Sequence, residues 1–495
     1  MHEALARELD GTHPLVLIRT DDEDSIRDAI FTAIGGERAL RSWTAVRGLC
    51  DGRLGERSQH GTERAAGALA WLATQAPSNA AVNVFYDLAA HLDDAPTVRA
   101  LREAVDAARR TFGVVVLVER DGRMPPSVEC DAFAWTPPPP LHDDLERIVR
   151  DAVREVKKTR RVRTEITRSQ LDSILRSLVG LSTRQAARVV QRCISDDDRL
   201  DSRDIERLAV LKRNALGDLG GVLEFVLAPV SLDGIGGMAS LKKWLDARRT
   251  ALSKDAVAFG LRPPRGVLML GVPGAGKSLA AKAIATAWNL PLLRLDAGAL
   301  FDKFIGESER KLRDSLVQAE RMSPAVLWID EIEKAFAGAA SHSSDGGLAR
   351  RMFGALLTWM QERAAPVFLA ATANDVSALP PELLRKGRFD EIFFVDLPDA
   401  DARAAIASIH LERRNRDPRT FDLASIAAAS QGRSGAEIEV AVEAALQRAF
   451  ADGRREVSTR DVCDALASSP PLSVVMAEQI SSLRRWASTR CVPAD

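Results

Sequence analysis

The stretch GVLMLGVPGAGKSLAAKAIA, residues 266–285, changes character twice. It opens as an apolar run of the kind buried on both faces of a parallel sheet, passes through a glycine-rich turn, and ends in an alanine-rich helix former. Gly271, Gly276, Lys277 and Ser278 fall at the spacing GxxxxGK[ST]. Glycines at that spacing let backbone N–H groups converge on an anion at a helix N-terminus, with Lys277 reaching β- and γ-phosphates and Ser278 offering its hydroxyl to Mg2+. A plain glycine turn between a strand and a helix has the same sequence, so this loop alone leaves two readings open.

Two further apolar runs separate them. AVLWIDE, residues 325–331, ends in two carboxylates where a buried strand presents its carboxyl edge to a ligand. Asp330 suits Mg2+ through water, and Glu331 suits orienting and deprotonating an attacking water. In VFLAATAND, residues 367–375, the apolar run ends at Asn374, whose neutral amide holds water near a γ-phosphate and reports whether that phosphate is present. RKGRFD then carries Arg385 and Arg388.

Together with GIGG (234–237), KFIGESE (303–309), RRMFGALLTWMQE (350–362), SIH (408–410) and SGAE (434–437), these motifs make residues 232–467 resemble an AAA ATPase module of the protein-remodelling kind. The resemblance implies ATP and Mg2+ as cofactors. It places Pro273, Gly274, Ala275, Gly276, Lys277, Ser278 and Leu279 on the phosphates, and Ile235 and Gly236 beside the adenine. From a helical lid, it brings His410 toward the adenine and ribose, with Gly435 and Ala436 nearby. Lys277, Asp330, Glu331 and Asn374 would act within one subunit, with Ser278 and Asp330 holding the metal. Arg385 and Arg388 would be fingers facing a neighbour's nucleotide, so turnover would need a ring, hexameric on the family pattern. One departure stands out: Arg433 precedes SGAE where relatives carry an aromatic residue, and we read it as solvated on the lid rather than as an extra phosphate contact.

KFIGESER, residues 303–310, sets two bulky apolar residues before a glycine and a charged run. In AAA rings this loop projects into the central pore, so the resemblance implies that Phe304 and Ile305 grip an extended polypeptide; the alternative is local packing against Leu300 or Leu312. The Gly, Ser and Ala-rich stretch 337–347 stands in the place of a second pore loop.

The first half is read as α/β as well. Apolar runs at 14–20, 43–49, 81–87, 113–119 and 127–135 alternate with helical patterns, which argues a doubly wound parallel sheet whose strand order echoes the second half. Where a phosphate loop would follow the first strand stands DDED, residues 21–24. Like charges ~4 Å apart repel by about 4 kcal/mol at an effective dielectric near that of protein surfaces, and no lysine or glycine run offsets them. These carboxylates are expected to cap the next helix, leaving a degenerate P-loop domain that does not bind ATP.

The expected division is 1–140 for that degenerate domain, 141–226 for a helical lid-like region, 227–398 for the large ATPase subdomain, 399–469 for its helical lid, and 470–495 for a helical tail. Over nearly its whole length the chain resembles the AAA ATPases first known as a conserved chloroplast reading frame and shared with bacteria. Lys plus Arg of 68 against Asp plus Glu of 69 gives a net charge of -1, so no global field draws the chain to nucleic acid or an anionic membrane. The basic run at 157–163 reads as a solvated helical face, with RNA or an acidic partner as the alternative. Five cysteines without CxxC spacing, and no apolar run of membrane-spanning length, point to a cytoplasmic protein. The leading expectation is an ATP-driven remodeller of a protein partner. Its rival is a regulatory ATPase that switches a partner docked on, or inhibited by, the degenerate half; a nucleic-acid motor is disfavoured.

Overall fold

The computed structural model describes all residues except 1, 21, 37, 53–58, 75–79, 121–123, 139, 165, 202, 217–221, 227–229, 253–255, 257, 297, 301–304, 335–346 and 386. Two compact units share the chain: Met1–Ile166 with Leu178–Asp201, and Thr167–Ser177 with Ser202–Asp495.

The first unit is built on strands β1 (Leu15–Arg19), β2 (Leu40–Thr44), β3 (Gly48–Asp51), β4 (Val82–Tyr86), β5 (Val114–Glu119) and β6 (Phe133–Trp135). They lie in the order β3-β2-β4-β5-β1-β6, parallel except for the β2–β3 hairpin. Side chains alternate across a strand, so Leu15 and Leu17 of β1 join the layer of helices Ala65–Thr74 and Ala95–Thr111, while Val16 and Ile18 join the layer of Glu23–Ile34. That two-sided burial is why β1, β4 and β5 are almost wholly apolar. Asp22 caps Glu23–Ile34 as expected, accepting from Ser25 N at 3.2 Å and Ser25 Oγ at 2.8 Å, and it also takes Arg184 N at 3.0 Å. Helices His142–Lys157 and Thr183–Asp197 pack in the same unit, with a two-residue parallel pairing of β7 (Arg163–Thr164) and β8 (Arg199–Leu200). The basic run is exposed and partly ion-paired, with Lys158 Nζ 2.6 Å from Glu155 Oε2.

Two strand assignments need correction. Residues 43–49 are not one strand: the chain turns at 45–47, with Arg47 N donating to Thr44 O, and returns as antiparallel β3. Residues 127–135 begin as the helical turn Pro126–Glu129, closed by Val128 N to Pro125 O, and only Phe133–Trp135 joins the sheet.

The second unit holds β9 (Leu223–Val226), β10 (Gly266–Gly271), β11 (Leu292–Leu295), β12 (Ala325–Ile329), β13 (Val367–Ala373), β14 (Glu391–Val395) and β15 (Val492–Pro493), ordered β15-β14-β10-β13-β12-β11-β9. Only β9 runs antiparallel. Counted along the chain, β10 to β14 lie in the spatial order second, third, fourth, first, fifth. Strands β1, β2, β4, β5 and β6 of the first unit lie in the same order, and in both sheets an antiparallel strand flanks the second. The fold is therefore α/β in both halves, as the sequence implied. Leu268 and Leu270 pack with helices Ile305–Arg321 and Leu348–Glu362, and Val267 and Met269 with helix Lys277–Trp288. Helices Ala400–Arg413, Leu423–Ala429, Gly435–Ala451 and Thr459–Ala467 form a bundle with its own core around Leu411, Ile438 and Val442. No helix among the described residues is long and apolar enough to cross a membrane.

Candidate active site

Sheet register assembles the site. Leu270 pairs with Ala373 and Ile329 with Ala371, so one residue further on Gly271, Asp330, Thr372 and Asn374 leave the same carboxyl edge. A crevice at that edge is where open α/β sheets take ligands. Gly271 is required there: a Cβ on it would come within 1.9 Å of Val395 O.

The loop after β10 runs into helix Lys277–Trp288, which has Gly276 as its N-cap and no capping side chain, so its first N–H groups face the cleft. Lys277 is 6% exposed and donates to Gly271 O at 2.9 Å and Val272 O at 2.7 Å. Burial pushes its ammonium down to about 8, against the pull of Glu333, Asp330 and Glu331. Ser278 Oγ and Thr372 Oγ1 both donate to Asp330 Oδ1, at 2.7 and 2.6 Å. Thr372 Oγ1 in turn accepts from Glu331 N at 2.9 Å. Glu331 sits in left-handed backbone at φ 48, a conformation that stores strain and recurs at functional sites. Its carboxylate is held between Asn374 Nδ2 at 3.0 Å and Lys334 Nζ at 2.6 Å. Glu333 is buried, its carboxyl pushed up by that burial, and it accepts Asn374 N at 2.9 Å.

The helical bundle closes the other side. Ala436 N donates to Gly274 O at 3.1 Å, so helix Gly435–Ala451 seats directly on the glycine loop. His410 Nδ1 lies 3.5 Å from Glu439 Oε1; burial pushes the imidazole pKa down while Glu439 pulls it the other way. The cleft so enclosed measures about 400 Å³. Ile235 and Gly236, the loop from Pro273 through Leu279, Asp330, Glu331 and Asn374, His410, Gly435 and Ala436 all line it.

Arg385 and Arg388 are not brought to this cleft. Arg388 Nη1 donates to Leu357 O, and burial with the nearby Arg385 and Arg265 lowers its pKa. Phe304 and residues 337–346 lie outside the described residues, while Ile305 opens helix Ile305–Arg321. The solvated reading of Arg433 is wrong. It is 5% exposed, donates to Leu466 O and Ser469 O, and pairs with Glu437 at 3.4 Å, because the C-terminal end of helix Thr459–Ala467 and the residues just after it present carbonyls to its guanidinium. It does not line the cleft either. Thr372, Glu333, Arg413 and Glu439 were not singled out from the sequence. Thr372 had one usable signal, a hydroxyl in an otherwise apolar strand.

Comparison with known proteins agrees with this geometry. The model for the ATPase family associated with various cellular activities (AAA) matches residues 267–397. Models for the N-terminal and second domains of SpoVK-like AAA ATPases match 1–134 and 143–218. The chain is 33% identical over 483 residues to the AAA domain-containing protein ycf46 of Guillardia theta, covering 97% of this chain and 93% of that protein. To the ycf46 protein of Pyropia yezoensis it is 34% identical over 485 residues, 97% and 96% of the two chains. A proteasome-activating nucleotidase of Saccharolobus islandicus is 34% identical over 254 residues, 49% of this chain and 64% of that one. Since the ycf46 likeness spans both units and the AAA match covers the glycine loop, Asp330, Glu331 and Asn374, the chain belongs to the ycf46 AAA domain-containing proteins and is an ATPase of the AAA family.

Proposed function

We propose that the chain hydrolyses MgATP in a ring, hexameric on the family pattern, and uses the cycle to remodel a protein partner. The observation that carries the reading is the convergence in one cleft of the glycine loop, the Asp330–Glu331 pair and Asn374 under the helical lid. Lys277 binds phosphate oxygens, giving up its two carbonyl contacts to do so. The hydroxyl of Ser278 and the carboxylate of Asp330, 2.7 Å apart, are hard oxygen donors of the kind Mg2+ takes. When bound, Mg2+ neutralises phosphate charge. Glu331, oriented by Asn374 and Thr372, accepts the proton of the attacking water, and Asn374 reports the γ-phosphate. Ile235, Gly236 and His410 hold the base and ribose end.

Phosphoryl transfer needs cationic stabilisation of the leaving charge, and Arg385 and Arg388 lie away from their own chain's cleft. That supports fingers acting in trans. Likeness to a proteasome-activating nucleotidase favours a protein as partner, gripped by Phe304 and Ile305. The first unit keeps the sheet order but spends Asp22 on capping its helix, which favours a docking or regulatory role without ATP. If that unit only docks a partner, the cycle is a switch rather than a threading stroke. A cytoplasmic site of action is part of the proposal and rests on the scattered cysteines of the sequence.

Mixing tests the trans arrangement. Arg388→Ala and Lys277→Ala subunits, each inactive alone, should regain part of the wild-type ATPase rate together, because an intact finger meets an intact cleft across some interfaces. No recovery in rings verified to contain both subunits refutes it.

A further inference from the structure

A segment remote in sequence from the glycine loop reaches the Ile235 end of the cleft. Val492 and Pro493 extend the sheet beside Phe393 and Phe394, and Ala494 N donates to Phe394 O at 2.9 Å. Ala494 is 1% exposed. From there the chain meets the start of helix Ala239–Arg248. Ala494 O accepts from Leu241 N at 3.0 Å, Asp495 O accepts from Ser240 Oγ at 3.0 Å, and the Asp495 carboxylate accepts from Met238 N. That helix has no capping side chain of its own, its N-cap being Met238 in left-handed backbone at φ 57. Residues 494 and 495 therefore satisfy, from outside, donors that a local cap would serve.

The turn immediately before this helix is Gly234–Gly237, whose Gly234, Ile235 and Gly236 line the cleft. With three glycines in four residues it has little conformational preference of its own. It is held from several sides. Lys242 Nζ donates to Ile235 O at 2.6 Å, and a Cβ at Gly236 would come within 2.6 Å of Ile406 Cγ1. Gly237 has φ 73, and a Cβ there would lie 2.8 Å from Asp495 Oδ1, so the carboxylate closes against a position only glycine can occupy.

We infer that Val492–Asp495 is a strap that sets the position of the Gly234–Gly237 wall, and through it the affinity of the site for the base end of its nucleotide, with Asp495 as a positioning residue. The inference rests on the reading of Ile235 and Gly236 as the base-side wall. A wall anchored to a sheet strand is ordered before the ligand arrives, so binding does not have to order it; a released wall must be ordered at that moment. The phosphate loop has its own anchors in β10 and helix Lys277–Trp288.

The test is calorimetric binding of ATP and of inorganic tripolyphosphate to the full chain, with turnover at saturating ATP and melting temperature on the same preparations. Asp495→Ala should weaken ATP about fivefold to tenfold, the size of one lost hydrogen bond of ordinary strength, and leave tripolyphosphate affinity and kcat within about twofold. Asp495→Asn, which keeps an acceptor oxygen for Met238 N, should recover ATP affinity. Ser240→Ala, which removes one strap contact, should shift ATP affinity in the same direction by a smaller factor and covers the case of an unstable Asp495→Ala. Unchanged ATP affinity in both Asp495→Ala and Ser240→Ala overturns the strap, as does equal weakening of ATP and tripolyphosphate. Ile235→Ala separates the two levels: if it weakens ATP while Asp495→Ala does not, the strap alone fails, and if it too leaves ATP affinity unchanged, the base-side wall falls and takes the strap with it.

Discussion

Thr372→Val removes one oxygen from the middle of the site. Its hydroxyl donates to Asp330 Oδ1 at 2.6 Å and accepts from Glu331 N at 2.9 Å, in a side chain only 1% exposed. Valine keeps the shape, so no cavity opens, but a bond to a charged acceptor is lost and an N–H is left without its partner. A bond to a charged group contributes about 1.5–3 kcal/mol, and an orphaned buried donor costs about 1–3 kcal/mol. A net loss of about 3 kcal/mol lowers the apparent melting temperature by roughly 5–10 °C in a unit of this size. The larger consequence is positional. Glu331 holds a left-handed backbone that this N–H contact helps fix, and displacing a reacting group by about 1 Å costs on the order of 100-fold in rate. Thr372→Val should therefore lose ten- to 100-fold in kcat while ATP affinity stays within about threefold, and Thr372→Ser should behave as wild type. The assays are steady-state phosphate release, equilibrium ATP binding and thermal melting. A valine variant with wild-type kcat, or one whose affinity falls as far as its rate, refutes the argument.

Two further outcomes follow from the same residues. Lys277 is pushed down to about 8 by burial and phosphates bind its charged form, so ATP affinity should be strongest below that pH and weaken by up to about tenfold per unit above it. Calorimetry between pH 7 and pH 9.5 reads this, and a flat affinity contradicts it. Phe304→Ala should leave ATP binding, basal turnover and melting temperature near wild type while uncoupling turnover from work on a partner. A lowered melting temperature, reporting the stability loss of roughly 3–5 kcal/mol typical of truncating a buried phenylalanine, would mean core packing, and a stable variant with intact partner activity would favour the switch over threading.

Most of the cleft is legible in the sequence because its parts sit at the ends of apolar runs. Asp330 and Asn374 each follow a strand directly, Lys277 opens the helix after the glycine loop of β10, and parallel pairing aligns strand ends without further information. What the sequence hides depends on register or on distant backbone. Thr372 acts only because β13 sets its hydroxyl beside Asp330, and Glu333 because Asn374 N points at it. The burial of Arg433 is hidden because its partners are carbonyls at 466 and 469, at and just beyond the end of a helix whose direction no local pattern reveals. The hairpin at 45–47 is hidden for a related reason: WTAVRGL is apolar enough to pass for one strand, and only the antiparallel return fixes the break. The echo between the halves was readable in strand spacing, and the structure adds the shared strand order and the antiparallel flanking strand.

The most direct test measures equilibrium ATP binding and steady-state hydrolysis for Lys277→Ala and Glu331→Gln on one set of preparations. Lys277 supplies a phosphate contact and Glu331 the water-activating carboxylate, so Lys277→Ala should lose binding, whereas Glu331→Gln should bind ATP as wild type does and lose at least about 100-fold in turnover. Equal loss of binding in the two variants, or hydrolysis that survives in Glu331→Gln, would contradict the account.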